Sequence, residues 1–180
     1  HSKIVNKIIF DKSGKLFIVQ ARPETIHSRK KDNDLVEYII DNSAGAAVRL
    51  TGIAVGDKMG QGKVQKMYSL DGRDGTFDGS DFKEGDILVT EMTDPDWEPI
   101  MKKASAIITN KGGRTCHAAI VAREMGVPAI VGTENGTEVL FNGEEFTISC
   151  GEGDVGKVYE GIVPFKLKKT KLDNLPTTKT

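Results

Sequence analysis

The sequence is short of the residues that cross-link, anchor or strongly charge a protein. It has two cysteines, Cys116 and Cys150, and neither belongs to a CxxC pair. That excludes a disulfide framework and a cysteine-based zinc site, and it favours a reducing, cytoplasmic setting. Aromatic residues make up only 6%, with a single tryptophan, so the core is modest and mostly aliphatic. The formal net charge of -1 gives no electrostatic case for nucleic acid or an anionic membrane surface. No apolar run approaches the ~18 residues a membrane helix needs, and no basic-then-apolar opening resembles a signal peptide. Glycine is plentiful, but no Gly-Lys-Ser/Thr follows a glycine run, which excludes an ATP-binding loop of the P-loop type.

What is present is concentrated in one stretch, Lys111-Gly112-Gly113-Arg114-Thr115-Cys116-His117-Ala118-Ala119. Ala106-Ile107-Ile108-Thr109 before it predicts a buried strand. Ala118 to Met125 is rich in helix formers, and Gly126 with Pro128 supplies a stop. The local plan is strand, glycine loop, helix N-terminus, with His117 at the mouth. The first amides of a helix lack intrahelical partners, and the helix dipole adds partial positive charge there. Paired glycines let a phosphate approach such a mouth closely. A histidine in that position has a nucleophilic nitrogen beside a phosphate cradle, which points to a carried phosphoryl group. Thr115 is placed to cap the helix. Arg114 is a candidate phosphate partner, whereas Arg123 faces away from His117 and reads as solvated. Cys116 and His117 are adjacent, so they do not face each other as a dyad. Cys116 reads as a packing residue or one that shapes the loop, and Cys150 as packing.

The run Gly112-Gly113-Arg114-Thr115-Cys116-His117-Ala118-Ala119 resembles the phosphohistidine motif of the phosphoenolpyruvate-utilising enzymes. Cys116, where other branches carry serine, is similar to the branch in which water receives the γ-phosphoryl group of ATP. The resemblance implies an α/β fold, a swivelling β/β/α three-layer phosphohistidine domain with flanking linkers. It also implies that His117 accepts the β-phosphoryl group of ATP and passes it to pyruvate. In the whole enzyme Mg²⁺ and ATP would be bound mainly outside this chain, with no metal ligands within it. The expected partners are an ATP-grasp domain and a phosphoenolpyruvate/pyruvate barrel of the same polypeptide, with a regulatory kinase/phosphatase acting at Thr115. Gln20-Ala21-Arg22 resembles the end of the ATP-grasp domain, which makes Gln20 and Arg22 nucleotide contacts by that resemblance.

The expected organisation is a tail of the ATP-grasp domain over 1–25, a linker over 26–34, the mobile domain over 35–162 and a second linker over 163–180. Within it, Ile8-Ile9-Phe10 and Leu16 to Ala21 predict a hairpin, and Leu35 to Ile40 a strand. Glycine-punctuated segments follow at 52–56 and 60–64, then a loop over 71–81 and a strand at 86–90. Thr93-Asp94-Pro95 opens a helix whose Trp97, Ile100, Met101 and Ala104 share a face. Ala129-Ile130-Val131 is a third apolar strand, so two helical crossovers join three strands. Glu138 to Phe141, Asn142-Gly143 and Glu144 to Cys150 predict a hairpin. Gly156 to Glu160 is a last strand. Three rivals remain at this level: pyruvate phosphate dikinase in the same family, a non-catalytic anion-binding module, and a purely structural domain. A chain without complete substrate sites has no turnover of its own.

Overall fold

The computed structural model describes residues 4–10, 16–23, 34–41, 45–68 and 82–171. It divides into two compact units, His1–Asp32 and Asn33–Thr180. The expected 71–81 loop, most of the 26–34 linker and the end of the chain lie outside the described residues. In the first unit β1 (Ile4–Phe10) and β2 (Leu16–Pro23) form the expected antiparallel pair, with a register shift between Lys7 and Ile8.

The second unit opens with β3 (Asp34–Ile40), β4 (Val48–Val55), β5 (Met59–Lys66) and β6 (Ile87–Thr90). A 3-10 turn at Pro95–Trp97 leads into the short α1 (Glu98–Met101). Then come β7 (Ala106–Thr109), α2 (His117–Met125), β8 (Ala129–Val131) and α3 (Gly136–Val139). The last strands are β9 (Glu145–Ser149), β10 (Val155–Glu160) and β11 (Phe165–Lys171). Seven of these strands close a barrel in the order β10-β4-β8-β7-β6-β5-β9. The run β5, β6, β7, β8 is parallel, and the remaining pairs are antiparallel.

Strand alternation explains why this barrel carries helices on one side. Ile87, Val89, Ala106, Ile108 and Ile130 point inward and pack with Leu50, Val64, Phe146, Ile148 and Val158. Their neighbours Leu88, Ile107, Ala129 and Val131 point the other way, against Trp97, Met101, Ala118, Ala119, Val121 and Ala122. Both faces of the parallel strands are therefore apolar and covered, as crossover topology requires. The expected two helical crossovers are present, and the two β layers of the β/β/α arrangement close on each other. The antiparallel strands β4 and β10 must be thin where they pass Ile130. A Cβ on Gly52 or Gly156 would come within 2.7 or 2.6 Å of the Ile130 side chain.

Two expectations need correcting. The segment before Asn142-Gly143 is not a hairpin arm. Gly136–Val139 coils into α3 because Asn110 Oδ1 accepts the Thr137 amide at 3.0 Å and the two edges of β9 already pair with β5 and β10. Leu140 then plugs the core at full burial, and the Asn142 side chain accepts the Lys66 amide at 2.6 Å. The second difference lies in the expected C-terminal linker. Its lysines mask an alternating pattern, and Phe165–Lys171 pairs antiparallel with β3, setting Phe165 opposite Ile40 and Leu167 opposite Tyr38. The Tyr38 and Phe165 rings lie 5.8 Å apart.

Candidate functional site

Because β6 and β7 are parallel neighbours, their C-terminal ends arrive together, and the segments that follow them meet. The Asn110 amide bonds the Thr90 carbonyl at 3.1 Å, and the Lys111 amide bonds the Glu91 carbonyl at 2.9 Å. Thr109 Oγ1 donates to the Lys111 carbonyl at 2.8 Å, which turns the chain away from the strand. Gly112 then adopts φ 116, a conformation closed to most L-residues. A Cβ there would also stand 2.7 Å from Cys116 Sγ, so Gly112 is glycine for two independent reasons. Gly113 faces open space, with nothing within 4 Å of a would-be Cβ. The Cys116 amide closes a turn onto the Gly113 carbonyl at 3.1 Å, and the helix starts at His117. Gly126 ends it in the left-handed conformation, φ 68.

His117 is half-buried, and its Nδ1 lies 2.9 Å from the hydroxyl of Thr93, itself buried beyond β6. The amides of residues 117–119 are those a helix leaves without intrahelical partners. In front of them is a pocket of about 100 Å³ lined by Met92, Thr93, Lys111, Gly112, Cys116 and His117. A nucleotide or drug-sized ligand needs ~300 Å³ or more, so this pocket suits something no larger than a phosphoryl group. A wider, open depression of about 520 Å³ includes Arg49, Lys63, Glu145 and Glu160 and shares no residue with the histidine pocket.

Gly112 lines the pocket and Gly113 is adjacent. Arg114 pairs with Asp154 Oδ1 at 2.9 Å, both side chains being exposed, and it does not line the pocket. Arg123 is not merely solvated. Its Nη1 donates to the Arg114 carbonyl at 2.6 Å and ties the helix back to the loop. Thr115 is not the cap: Cys116 occupies the N-cap position, without a side-chain cap bond, and Thr115 is exposed. Gln20 and Arg22 lie on β2 in the first unit. Cys150 is buried, with its thiol pushed up to about 11 chiefly by burial. Among the described residues no group of three or more His, Cys, Asp or Glu could hold a metal ion. No helix among them is long and apolar enough to cross a membrane.

Sequence reasoning missed Thr93, Lys111 and a polar cluster beneath them. Asn110, almost fully buried, donates through Nδ2 to Glu91 Oε1 at 2.6 Å and to Thr137 Oγ1 at 2.6 Å. Lys111 Nζ stands 3.3 Å from Glu91 Oε2. Desolvation raises the Glu91 pKa, but the bonds from Asn110 and Lys111, the Lys111 charge and the Thr137 hydroxyl together hold it below 4.5. The available signal was topological. Residues directly after two adjacent parallel strands converge at the strands' C-terminal ends, where ligands of α/β sheets bind.

Residues 82–153 match the family described as PEP-utilising enzyme, mobile domain. The chain is 54% identical over 168 residues to phosphoenolpyruvate synthase of Aquifex aeolicus, covering 92% of the chain and 19% of that protein. It is 51% identical to the Synechocystis enzyme of the same name, covering 93% and 20%, and 48% identical to the Escherichia coli one, covering 91% and 19%. A solution structure of Enzyme I is 29% identical over 48% of this chain and 34% of that one, with a TM-score of 0.39. The chain is thus a homologue of the mobile domain of the PEP-utilising enzymes, a phosphotransferase family. Among these enzymes it is homologous to the phosphohistidine domain of phosphoenolpyruvate synthase, and it spans about a fifth of the length of those relatives.

Proposed function

We propose that this chain is the phosphoryl carrier of a phosphoenolpyruvate synthase and that His117 Nε2 is the atom that carries the group. The observation that supports it is the Nδ1 contact with the Thr93 hydroxyl at 2.9 Å. When Nδ1–H donates to Thr93 Oγ1, the lone pair is left on Nε2, at the mouth of the helix. Nε2 then forms a bond to phosphorus as the P–O bond to the donor breaks, and the leaving oxygen takes the electron pair. The return step is the reverse: an enolate oxygen of pyruvate attacks phosphorus, and the N–P pair goes back to Nε2. Helix amides and the open backbone at Gly113 receive the phosphoryl oxygens.

In the full reaction the β-phosphoryl group of ATP is the one carried, pyruvate becomes phosphoenolpyruvate, and AMP and phosphate are the other products. A pocket this small cannot enclose ATP, so both substrates belong to an ATP-grasp domain and a phosphoenolpyruvate/pyruvate barrel that the mobile domain visits in turn. Mg²⁺ has no ligand set among the described residues, and no step of this chain is routed through it. Gln20 and Arg22 are the proposed nucleotide contacts, at the end of the ATP-grasp domain. The mobile domain is taken as residues 35–162 together with the strand Phe165–Lys171 that pairs with β3, and it acts as a swinging unit. Alone, the chain has no turnover. Thr115, exposed and two residues before His117, is the proposed target of a regulatory kinase/phosphatase. The reading carries with it a cytoplasmic, gluconeogenic setting.

The test supplies the missing sites in trans. The chain is incubated with phosphoenolpyruvate, Mg²⁺ and a phosphoenolpyruvate synthase whose own carrier histidine is changed to alanine. One acid-labile phosphoryl adduct by intact mass and ³¹P NMR, absent from His117→Ala, is expected. A chain that stays unmodified, while the relative's own isolated carrier domain is phosphorylated in the same mixture, refutes the carrier and leaves an anion-binding module.

A further inference from the structure

A phosphoryl group on nitrogen brings close to two negative charges, and a helix N-terminus offers only about half a positive one. A side-chain cation is needed at the pocket, and the stretch from Lys111 to Met125 contains three, Lys111, Arg114 and Arg123. Arg114 is turned to Asp154 at 2.9 Å, and Arg123 is spent on the Arg114 carbonyl at 2.6 Å. Neither lines the pocket, and Lys111 does. Its backbone is fixed on both sides, by the Glu91 carbonyl at 2.9 Å and the Thr109 hydroxyl at 2.8 Å. Its side chain remains 71% exposed and free to re-aim.

We propose that Lys111 is the cation that neutralises the phosphoryl group on His117, and that Glu91 is its resting counter-ion, a positioning residue that gives the ammonium up when the group arrives. This deepens the carrier reading and rests on it. Glu91 is suited to the part because its carboxylate is held independently of the lysine. Asn110 Nδ2 at 2.6 Å and Thr137 Oγ1 at 3.3 Å both bind Oε1, which leaves Oε2 for Lys111. Asn110 is in turn locked by the Thr137 amide on its Oδ1 at 3.0 Å. The carboxylate therefore stays in place whether or not the ammonium is present. The ion pair itself, 3.3 Å long and open to water on both sides, is weak. A group of nearly two charges at the helix mouth outcompetes a single carboxylate for the lysine.

The experiment loads the full chain chemically with potassium phosphoramidate, so no donor domain is required. Nε2 bonds to phosphorus as the P–N bond of phosphoramidate breaks and ammonia leaves. The initial rate of adduct formation at His117 is followed by mass spectrometry for the native chain and for Lys111→Met, Lys111→Arg and Glu91→Gln. Thermal melting of each variant is recorded in parallel. Lys111→Met is expected to slow loading roughly tenfold, Lys111→Arg to stay within about twofold, and Glu91→Gln to accelerate it about two- to fivefold. The opposite signs at 111 and 91 distinguish charge competition from damage to the loop, which would slow both. Lys111→Met loading at the native rate, or Glu91→Gln slowing it with melting unchanged, overturns the assignment. In either case His117→Ala, unlabelled beside a labelled native chain, shows that the carrier reading itself survives. A native chain that takes no label at His117 ends both.

Discussion

Replacing Thr93 with valine removes one hydroxyl and keeps the side-chain volume, which isolates the Nδ1 contact on which the proposed tautomer rests. Thr93 is 6% exposed, so water does not easily replace the lost partner of Nδ1. A neutral hydrogen bond of this kind is worth about 1 kcal/mol net, and a ring nitrogen left dry costs ~1–3 kcal/mol. At 1.36 kcal/mol per factor of ten, a loss of about 1–3 kcal/mol lowers the reactive tautomer with its proton on Nδ1 roughly five- to 150-fold. The rate of phosphoryl transfer to Nε2 falls by the same factor, because the reactive tautomer is in rapid equilibrium with the other. Two assays report on this independently. Long-range ¹H–¹⁵N correlations of the His117 ring give the tautomer populations, and quenched-flow transfer from phosphoenolpyruvate in the trans mixture gives the rate. Thr93→Ser, which keeps the oxygen, is expected to restore both. A Thr93→Val chain with native tautomer populations and a native transfer rate would falsify the claim that this hydroxyl selects the nucleophilic nitrogen.

The two loop glycines are expected to respond differently. Gly112→Ala combines φ 116 with a 2.7 Å approach to Cys116 Sγ and should lose ~1–3 kcal/mol in chemical denaturation. Gly113→Ala meets open space, so its stability in the same denaturation should stay within ~0.5 kcal/mol of native. Asn110→Ala strips partners from Glu91 and Thr137 together and should cost ~2 kcal/mol, read as a lower denaturation midpoint. Cys150 is expected to resist thiol reagents at pH 8 in the native chain. Its thiol titrates at about 11 folded against 9.0 ordinarily, so the unfolded chain ionises first. That contribution to stability is present below pH 9.0 and declines as pH rises towards about 11, and Cys150→Ala should flatten this decline.

The strand–loop–helix around His117 was legible because every signal in it is local: an apolar run, a glycine pair, helix formers and a glycine stop. The parallel strands and their crossovers followed from the same kind of pattern. Three things were not legible. Thr93 meets His117 through the register of β6 against β7, a non-local fact that no spacing within one segment encodes. The predicted hairpin at 138–150 failed because Asn142-Gly143 is a turn signal whatever precedes it. Here the preceding residues are held as a helical turn by the Asn110 side chain, which lies far away in sequence. The strand at Phe165–Lys171 was hidden by its lysines, since a two-stranded ribbon open to solvent tolerates charge on most positions. Arg114 illustrates a different limit. Its residue type suited a phosphate ligand, but Asp154 on the β9–β10 turn claims it.

The central claim is that His117 carries a phosphoryl group from ATP to pyruvate, and a pulse–chase tests it most directly. The chain is mixed with Mg²⁺ and the carrier-less synthase, and given ATP labelled with ³²P at either the β or the γ position. Pyruvate is then added. Label on His117 from β-labelled but not γ-labelled ATP, chased quantitatively into phosphoenolpyruvate, is the expected result. Label that never reaches His117, or that stays there when pyruvate is supplied to an active barrel, contradicts the account.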